Sequence, residues 1–385
     1  MNLRDLRETV LRLPRDQVAE RAHMTEARLT AIEEEGEPMD IAELEWLAMV
    51  YGIDADVLAE DTLTLSKEWG PAVLARDGGY HAFSTSEKLA ILRVSRAVGD
   101  LTELKRLVGG DTRNPDLPLQ WKRNSQEPWQ QGRDIANLLR NKLALGESPI
   151  RSLSELMTEN FPWISVLYAD MAGDEPSGLA FSSRQQMPAI VLNVRGKNEI
   201  PSVLRVSLAH ELYHLLMDAG QGQPLAAFSR HDERREEMEQ RANSFAVRFI
   251  CPESVLIKLL AETKDARLCA RRLMADYGLP YAAVQNYLFH TGQVSLPESI
   301  PDDVKSGAVQ TAWPLEQPVC LRTFPVPEIP FERRTLIAAL AVRAYQTGKI
   351  PRDRLARLLD LTPAADLEAV VSHFASQEGA LCNCS

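Results

Sequence analysis

The chain has 385 residues, 45% of them hydrophobic and 25% charged, a globular composition that excludes a disordered polypeptide and leaves room for several domains. No apolar run approaches the ~20 residues of a membrane span, and the charged opening Met1-Asn2-Leu3-Arg4-Asp5 reads as no signal peptide, so a cytoplasmic protein without membrane partners is expected. The net charge of −11 argues against nonspecific attraction to phosphates, and nearly all of it lies at one end, where residues 1–62 hold six Arg against sixteen Asp and Glu.

That acidic end has the rhythm of a compact helical domain. Leu3, Leu6, Val10 and Leu13 recur at helical spacing until Pro14, and Val18, Ala19 and Ala22 begin a second helix. Thr25 is placed to N-cap a third helix bearing Leu29 and Ile32, which Gly36 and Pro38 end. Asp40 caps a fourth with Ile41, Leu44, Leu47, Ala48 and Tyr51 facing inward, and Val57-Leu58 belongs to a fifth. The segment from Gln17 through Gly36 resembles the helix-turn-helix of the XRE (Cro/repressor-like) family, a resemblance that covers about 60 residues. Such a domain lays its third helix in the major groove, where Arg, Lys, Gln and Asn read base edges. Here that helix holds Arg28 against Glu26, Glu33, Glu34 and Glu35, a poor match to a polyanion. Three readings stay open for residues 1–62: DNA binding, a protein-binding or dimerising module with a homodimer as one form, and a structural remnant.

Residues 63–125 read as a helical connector, with a helix over 86–107 and breaks at Gly70-Pro71, Gly78-Gly79 and Asn114-Pro115. Further helices are expected over about 129–145 and 153–160, separated by Gly146-Glu147-Ser148-Pro149. Residues 163–168 and 189–194 have strand length and β-branched content, and 178–181 is a weaker strand. The chain as a whole is therefore expected to be multidomain and mostly α. Its middle domain, residues 126–292, should be an α+β core of helices with a small antiparallel sheet.

His210-Glu211-Leu212-Tyr213-His214 is a His-Glu-x-x-His motif inside an apolar helical run. One helical turn sets the two histidines on one face, about 5–6 Å apart, where both imidazoles can meet one Zn²⁺ at ~2.0–2.1 Å. Glu211 is offset from both and can hold a reacting water without binding the metal. A catalytic zinc needs a third protein ligand and an open position. Asp218 lies eight residues beyond His210, roughly 12 Å along the helix axis, and cannot easily join both histidines. A second helix must supply the ligand. Over residues 232–250, Glu239, Ala242, Asn243, Ala246 and Phe249 share one face, and the small residues permit close packing, which makes Glu239 the third ligand. Glu236 and Glu237 read as solvated charges. The competing reading of the motif is a partly buried helix whose imidazoles hydrogen-bond elsewhere.

Residues 205–214, followed by 239–246 and Cys251-Pro252 and preceded by Ile190-Val191-Leu192-Asn193, resemble the ImmA/IrrE family of zinc metallopeptidases. The resemblance spans roughly residues 130–290. It implies that His210, His214 and Glu239 bind Zn²⁺, with Mn²⁺ or Fe²⁺ as alternatives, and that Glu211 is the catalytic carboxylate. It further implies a protein substrate, a helix-turn-helix repressor whose cleavage relieves repression. Tyr213 stands where the family often has Gly, and could narrow the cleft, donate to an oxyanion or pack. Cys251 replaces a more usual Met and serves as a small hydrophobe. Tyr213, His231 and Arg205 are the candidates to steady an oxyanion. The rival function is a DNA-binding regulator or antitoxin whose metal site is structural or ligand-sensing.

Beyond the motif, residues 268–292 read as a packing helical pair and 293–331 as a Pro-rich extended linker. Residues 332–385 form a last helical unit ending in an inert tail with Cys382 and Cys384. The five cysteines are odd in number and scattered, which fits reduced thiols.

Overall fold

Five short helices open the chain: α1 (Leu3–Asp5, prolonged by wider turns over Leu6–Leu11), α2 (Arg15–Arg21), α3 (Glu26–Thr30, prolonged over Ala31–Glu35), α4 (Ile41–Tyr51) and α5 (Ala55–Leu58). Their ends follow local chemistry. The Thr25 hydroxyl accepts from the Arg28 amide, and Asp40 and Glu43 form a reciprocal box in which each carboxylate accepts from the other's amide. Gly36 and Gly52 close the α3 extension and α4 at φ +69° and +68°. At Gly52 a Cβ would also meet the Leu92 carbonyl oxygen at 2.6 Å, so the first helices can approach the next one only through a glycine. That next element, α6 (Thr85–Leu107), is capped by Ser84 and buried along most of its length. The computed structural model describes residues 2–53, 55–59, 80–109, 125–183, 186–219, 225–229, 237–292, 294–297, 316, 321–361 and 367–375.

Two helices, α7 (Pro128–Lys142) and α8 (Leu153–Asn160), lead into a four-stranded sheet of β1 (Ser165–Ala169), β2 (Gly178–Ser182), β3 (Ala189–Asn193) and β4 (Leu225–Ser229), in the order β1-β3-β2-β4. β2 is antiparallel to β3 and to β4, whereas β1 runs parallel to β3 with Val166 opposite Ile190. The sheet is thus mixed, which corrects the expectation of a purely antiparallel one. β2 and β3 form an antiparallel hairpin, and β3 lies between β2 and β1 and runs parallel to β1. The central position of β2 and β3 agrees with their complete burial.

Alternate residues of the strands face two different cores. Leu167, Ala169, Leu179, Phe181, Ala189 and Val191 join a core shared with the N-terminal helices, α6 and the end of the chain. Tyr168, Ala180, Ile190 and Leu192 join a second core with α7, α8, α9 (Pro201–Tyr213), α10 (Glu237–Ile250), α11 (Glu253–Thr263), α12 (Ala266–Tyr277) and α13 (Tyr281–Gly292). α7 and α10 pack closely because Gly132 lacks a side chain; a Cβ there would meet the Arg241 carbonyl oxygen at 2.2 Å. Arg140, 2% exposed, donates to the carbonyls of Gly146, Ser148 and Phe249 and so ties the break after α7 to the end of α10.

The C-terminal helices α14 (Leu336–Gln346), α15 (Arg352–Leu358) and α16 (Leu367–Ala375) pack into the first core, beside α6. In the Pro-rich stretch, Glu316 is buried, and Leu321 joins the second core while Phe324, Val326 and Ile329 join the first. No described helix is long and apolar enough to cross a membrane. Cys382 and Cys384 lie outside the described residues.

Candidate metal centre

The motif helix α9 starts with Pro201 in its first turn and continues past Tyr213 into wider turns over His214–Asp218. Such wide turns inside a helix recur at functional sites. Its apolar residues Leu204, Leu208 and Leu212 are buried against the sheet and neighbouring helices, which turns His210 and His214 towards α10. On α10, Glu239 faces them and is 3% exposed.

Three side chains converge. His210 Nε2 and His214 Nε2 lie 3.0 Å apart. Glu239 places Oε2 3.0 Å from His210 Nε2 and Oε1 3.3 Å from His214 Nε2. The other ring nitrogens are engaged outward: His210 Nδ1 is 3.1 Å from Asn243 Oδ1, and His214 Nδ1 is 2.9 Å from Asp218 Oδ2. Both acceptors hold the proton on Nδ1, so both Nε2 atoms present lone pairs to the same point. Two imidazole lone pairs and a carboxylate oxygen directed inwards cannot satisfy one another, whereas they fit a divalent cation as a two-His, one-carboxylate set. Among the described residues this is the cluster of His, Cys, Asp and Glu with that geometry.

That lone-pair arrangement belongs to the neutral imidazoles, and with no cation among them the same negative surroundings favour a proton on His214. Burial disfavours a charge on His214, but its bonds to Asp218 and Glu239 and the nearby Glu211 charge outweigh burial and lift its pKa to about 10. Burial works against ionised Glu239 as well, yet its bonds to both histidines hold it below the usual carboxylate range. Negative side chains thus draw positive charge into the centre.

Glu211 is fully buried beside the cluster on the same helix. Its space is made by β2: a Cβ at Gly178 would lie 2.6 Å from Glu211 Oε1. Gly178 is in turn placed by buried Asn193 at the end of β3, whose side-chain amide donates to the Gly173 and Pro176 carbonyls and whose Oδ1 accepts from the Met171 and Arg195 amides. Asn198 extends this frame to the helix, donating to Ser177 O and Asn193 O while accepting from Ser207 Oγ.

Of the three oxyanion candidates, Tyr213 is 1% exposed with its ring against those of His214 and Phe245, a packing environment. Arg205 turns away from the centre, donating to Ile150 O and Arg151 O and pairing with Glu316. His231 lies outside the described residues, as does Glu236. Glu237, 74% exposed at its side chain, pairs with Arg241 at the surface. The sequence reading missed Gly178, Asn198 and the roles of Asn193, Asn243 and Asp218. Only the position of Asn243, one turn beyond Glu239 on the same face, carried a signal.

Residues 163–289 match the family model described as the IrrE N-terminal-like domain, Peptidase_M78. No curated protein matches the chain. The matched segment, about a third of the chain, contains the whole cluster, so the similarity covers the residues that converge on the centre.

Proposed function

We propose that the protein is a zinc-dependent endopeptidase with His210, His214 and Glu239 as metal ligands and Glu211 as the catalytic carboxylate. The observation that carries this reading is the convergence of His210 Nε2, His214 Nε2 and the Glu239 carboxylate within hydrogen-bond range, with a buried carboxylate next along the helix. When bound, the zinc ion supplies a Lewis acid that eases ionisation of water and polarises a peptide carbonyl. Asn243 and Asp218 hold the two imidazoles in the tautomer and orientation the set requires. Glu211 takes a proton from the water that attacks the scissile carbonyl and returns it to the leaving amine. Burial of Glu211 against Gly178 keeps that carboxylate in one position throughout.

The substrate in this reading is a regulatory protein, a helix-turn-helix repressor. The acidic N-terminal unit supports a basic protein partner over nucleic acid. Arg28, the basic residue of its third helix, is clamped by Glu43 at 2.7 and 2.8 Å and by Glu37, and Arg7 and Arg15 are held on Glu33. With these three guanidiniums neutralised from within, the unit offers less to phosphates. The test is Glu211→Gln in the full chain, with metal content and cleavage of a co-expressed repressor measured together. The variant is expected to retain about one metal per chain and lose cleavage by at least about 10²-fold. Wild-type cleavage by the variant would remove the assignment.

A further inference from the structure

Arg205 stands on α9 five residues before His210, about 7.5 Å back along the helix axis. Its side chain turns away from the metal centre and is fully buried, as is the Glu316 carboxylate that it meets. The guanidinium is held at three points. Nη1 donates to Glu316 Oε1 and, at 3.3 Å, to Arg151 O, and Nη2 donates to Ile150 O at 2.6 Å.

Glu316 is fixed by other groups besides. Its carboxylate accepts from the Leu153 amide at 2.9 Å, from the Ser154 amide at 2.8 Å and from the Ser154 hydroxyl at 2.9 Å, and its main-chain oxygen accepts from the Tyr168 hydroxyl. Residues 150–154, before α9 in the chain, and residue 316, after it, thus form one socket for a single side chain of the motif helix.

Stability does not account for such a socket. A buried ion pair gains little over apolar side chains of similar volume, because both charges must leave water. What the pair adds is direction. A guanidinium fork fixes geometry as well as energy, whereas the apolar contacts of Leu204, Leu208 and Leu212 tolerate sliding along the helix axis. The metal set is sensitive to that sliding, since His210 and His214 move with α9 while Glu239 belongs to α10. The separations of 3.0 and 3.3 Å between the imidazoles and the carboxylate span the two helices, and ligand distances must hold to about 0.2 Å. On the sheet side α9 has a directional fixing in Ser207, bonded to Asn198; Arg205 supplies one on the side of α8.

We propose that Arg205 and Glu316 are positioning residues of the metal centre: their socket sets where α9 stands along its axis and so keeps His210 and His214 in register with Glu239. The proposal rests on the metal-centre reading above and deepens it, because it makes a carboxylate of the Pro-rich segment a requirement for tight metal binding.

The test is Co²⁺ binding by the full chain, with affinity taken from competition with a chelator, ligand geometry from the visible absorption of the bound ion, and stability from thermal unfolding. Arg205→Met combined with Glu316→Gln removes both charges together and leaves an oxygen for the Leu153 and Ser154 amides. Its unfolding midpoint is expected to stay near that of the wild type, while Co²⁺ binds at least about tenfold more weakly and its absorption changes. Arg205→Lys keeps a charge beside Glu316 but loses the fork, and is expected to weaken and perturb Co²⁺ in the same direction. Val98→Ala, a truncation in the other core, should show the converse: a lowered midpoint with wild-type affinity and spectrum. Wild-type affinity and spectrum in both Arg205 variants would overturn the positioning role and leave the metal centre standing. An equal loss of affinity in Val98→Ala would overturn it too, by reducing the effect to stability. A wild-type chain that binds no Co²⁺ would overturn the metal-centre reading itself, and this proposal with it.

Discussion

At the scale of single residues, the proposed distinction between ligand and supporting partner rests on which ring nitrogen is used. Asp218 is too far along the helix axis to join both histidines, and the structure gives it the Nδ1 of His214; Asn243 takes the equivalent place at His210. Asp218→Ala and Asn243→Ala are each expected to weaken metal binding by about 10–100-fold with helical content unchanged, because a metal-binding imidazole freed at Nδ1 loses its tautomer and orientation. Competition with a chromophoric chelator measures this directly, and wild-type affinity in both variants would mean the partners are incidental. The i,i+4 placement of the two histidines was legible in sequence because it depends on one turn of backbone. Gly178 was not: a glycine opening a weak strand carries no sign that a carboxylate 33 positions away will need its space.

At the scale of elements, the N-terminal helices are joined by charge as much as by apolar contact. Arg28, on α3, grips Glu43, on α4, and together with the Asp40 amide it holds the Glu43 carboxyl down from its ordinary 4.5 to about 2. A carboxyl depressed in the folded state contributes stability that is complete above its unfolded value and is lost as pH falls through its folded one. The N-terminal helices are therefore expected to lose stability as pH drops from 4.5 to about 2, and Glu43→Gln to flatten that window. Thermal unfolding followed by helix signal across these pH values provides the check; an unchanged slope in the variant would assign the acid sensitivity elsewhere. The helix caps here could be read from sequence because Thr25 and Asp40 act within three residues. The strand β4 could not, since Leu225-Ala226-Ala227-Phe228-Ser229 is short and lacks β-branched residues, and only pairing with β2 makes it a strand.

At the scale of the whole molecule, a single carboxylate joins the Pro-rich segment to the motif helix. Glu316 is 1% exposed; it accepts from the Leu153 and Ser154 amides at the start of α8 and pairs with Arg205, itself 0% exposed, five residues before His210. Its main-chain carbonyl takes the Tyr168 hydroxyl of β1. Removing one member of a buried pair leaves the other charged and unpaired, so Glu316→Ala is expected to cost about 3–5 kcal/mol. Adding Arg205→Met to it should recover part of that loss, since the stranded charge is then gone. Denaturant unfolding of the three chains tests this, and a loss that is simply additive would show that the two side chains act independently.

What the amino-acid order determined by itself is whatever physics acts over a turn or two: the caps and ends of the helices, the shared face of His210 and His214, and the carboxylate presented by α10 among small residues. Tertiary structure alone decided the rest. It made the sheet mixed, set two cores back to back upon it, brought the C-terminal helices beside the N-terminal ones, and buried Glu316 against a helix 111 positions earlier. Each of these depends on contacts between segments far apart in the chain, and such contacts leave no period or spacing in the local order of residues by which they could be foreseen.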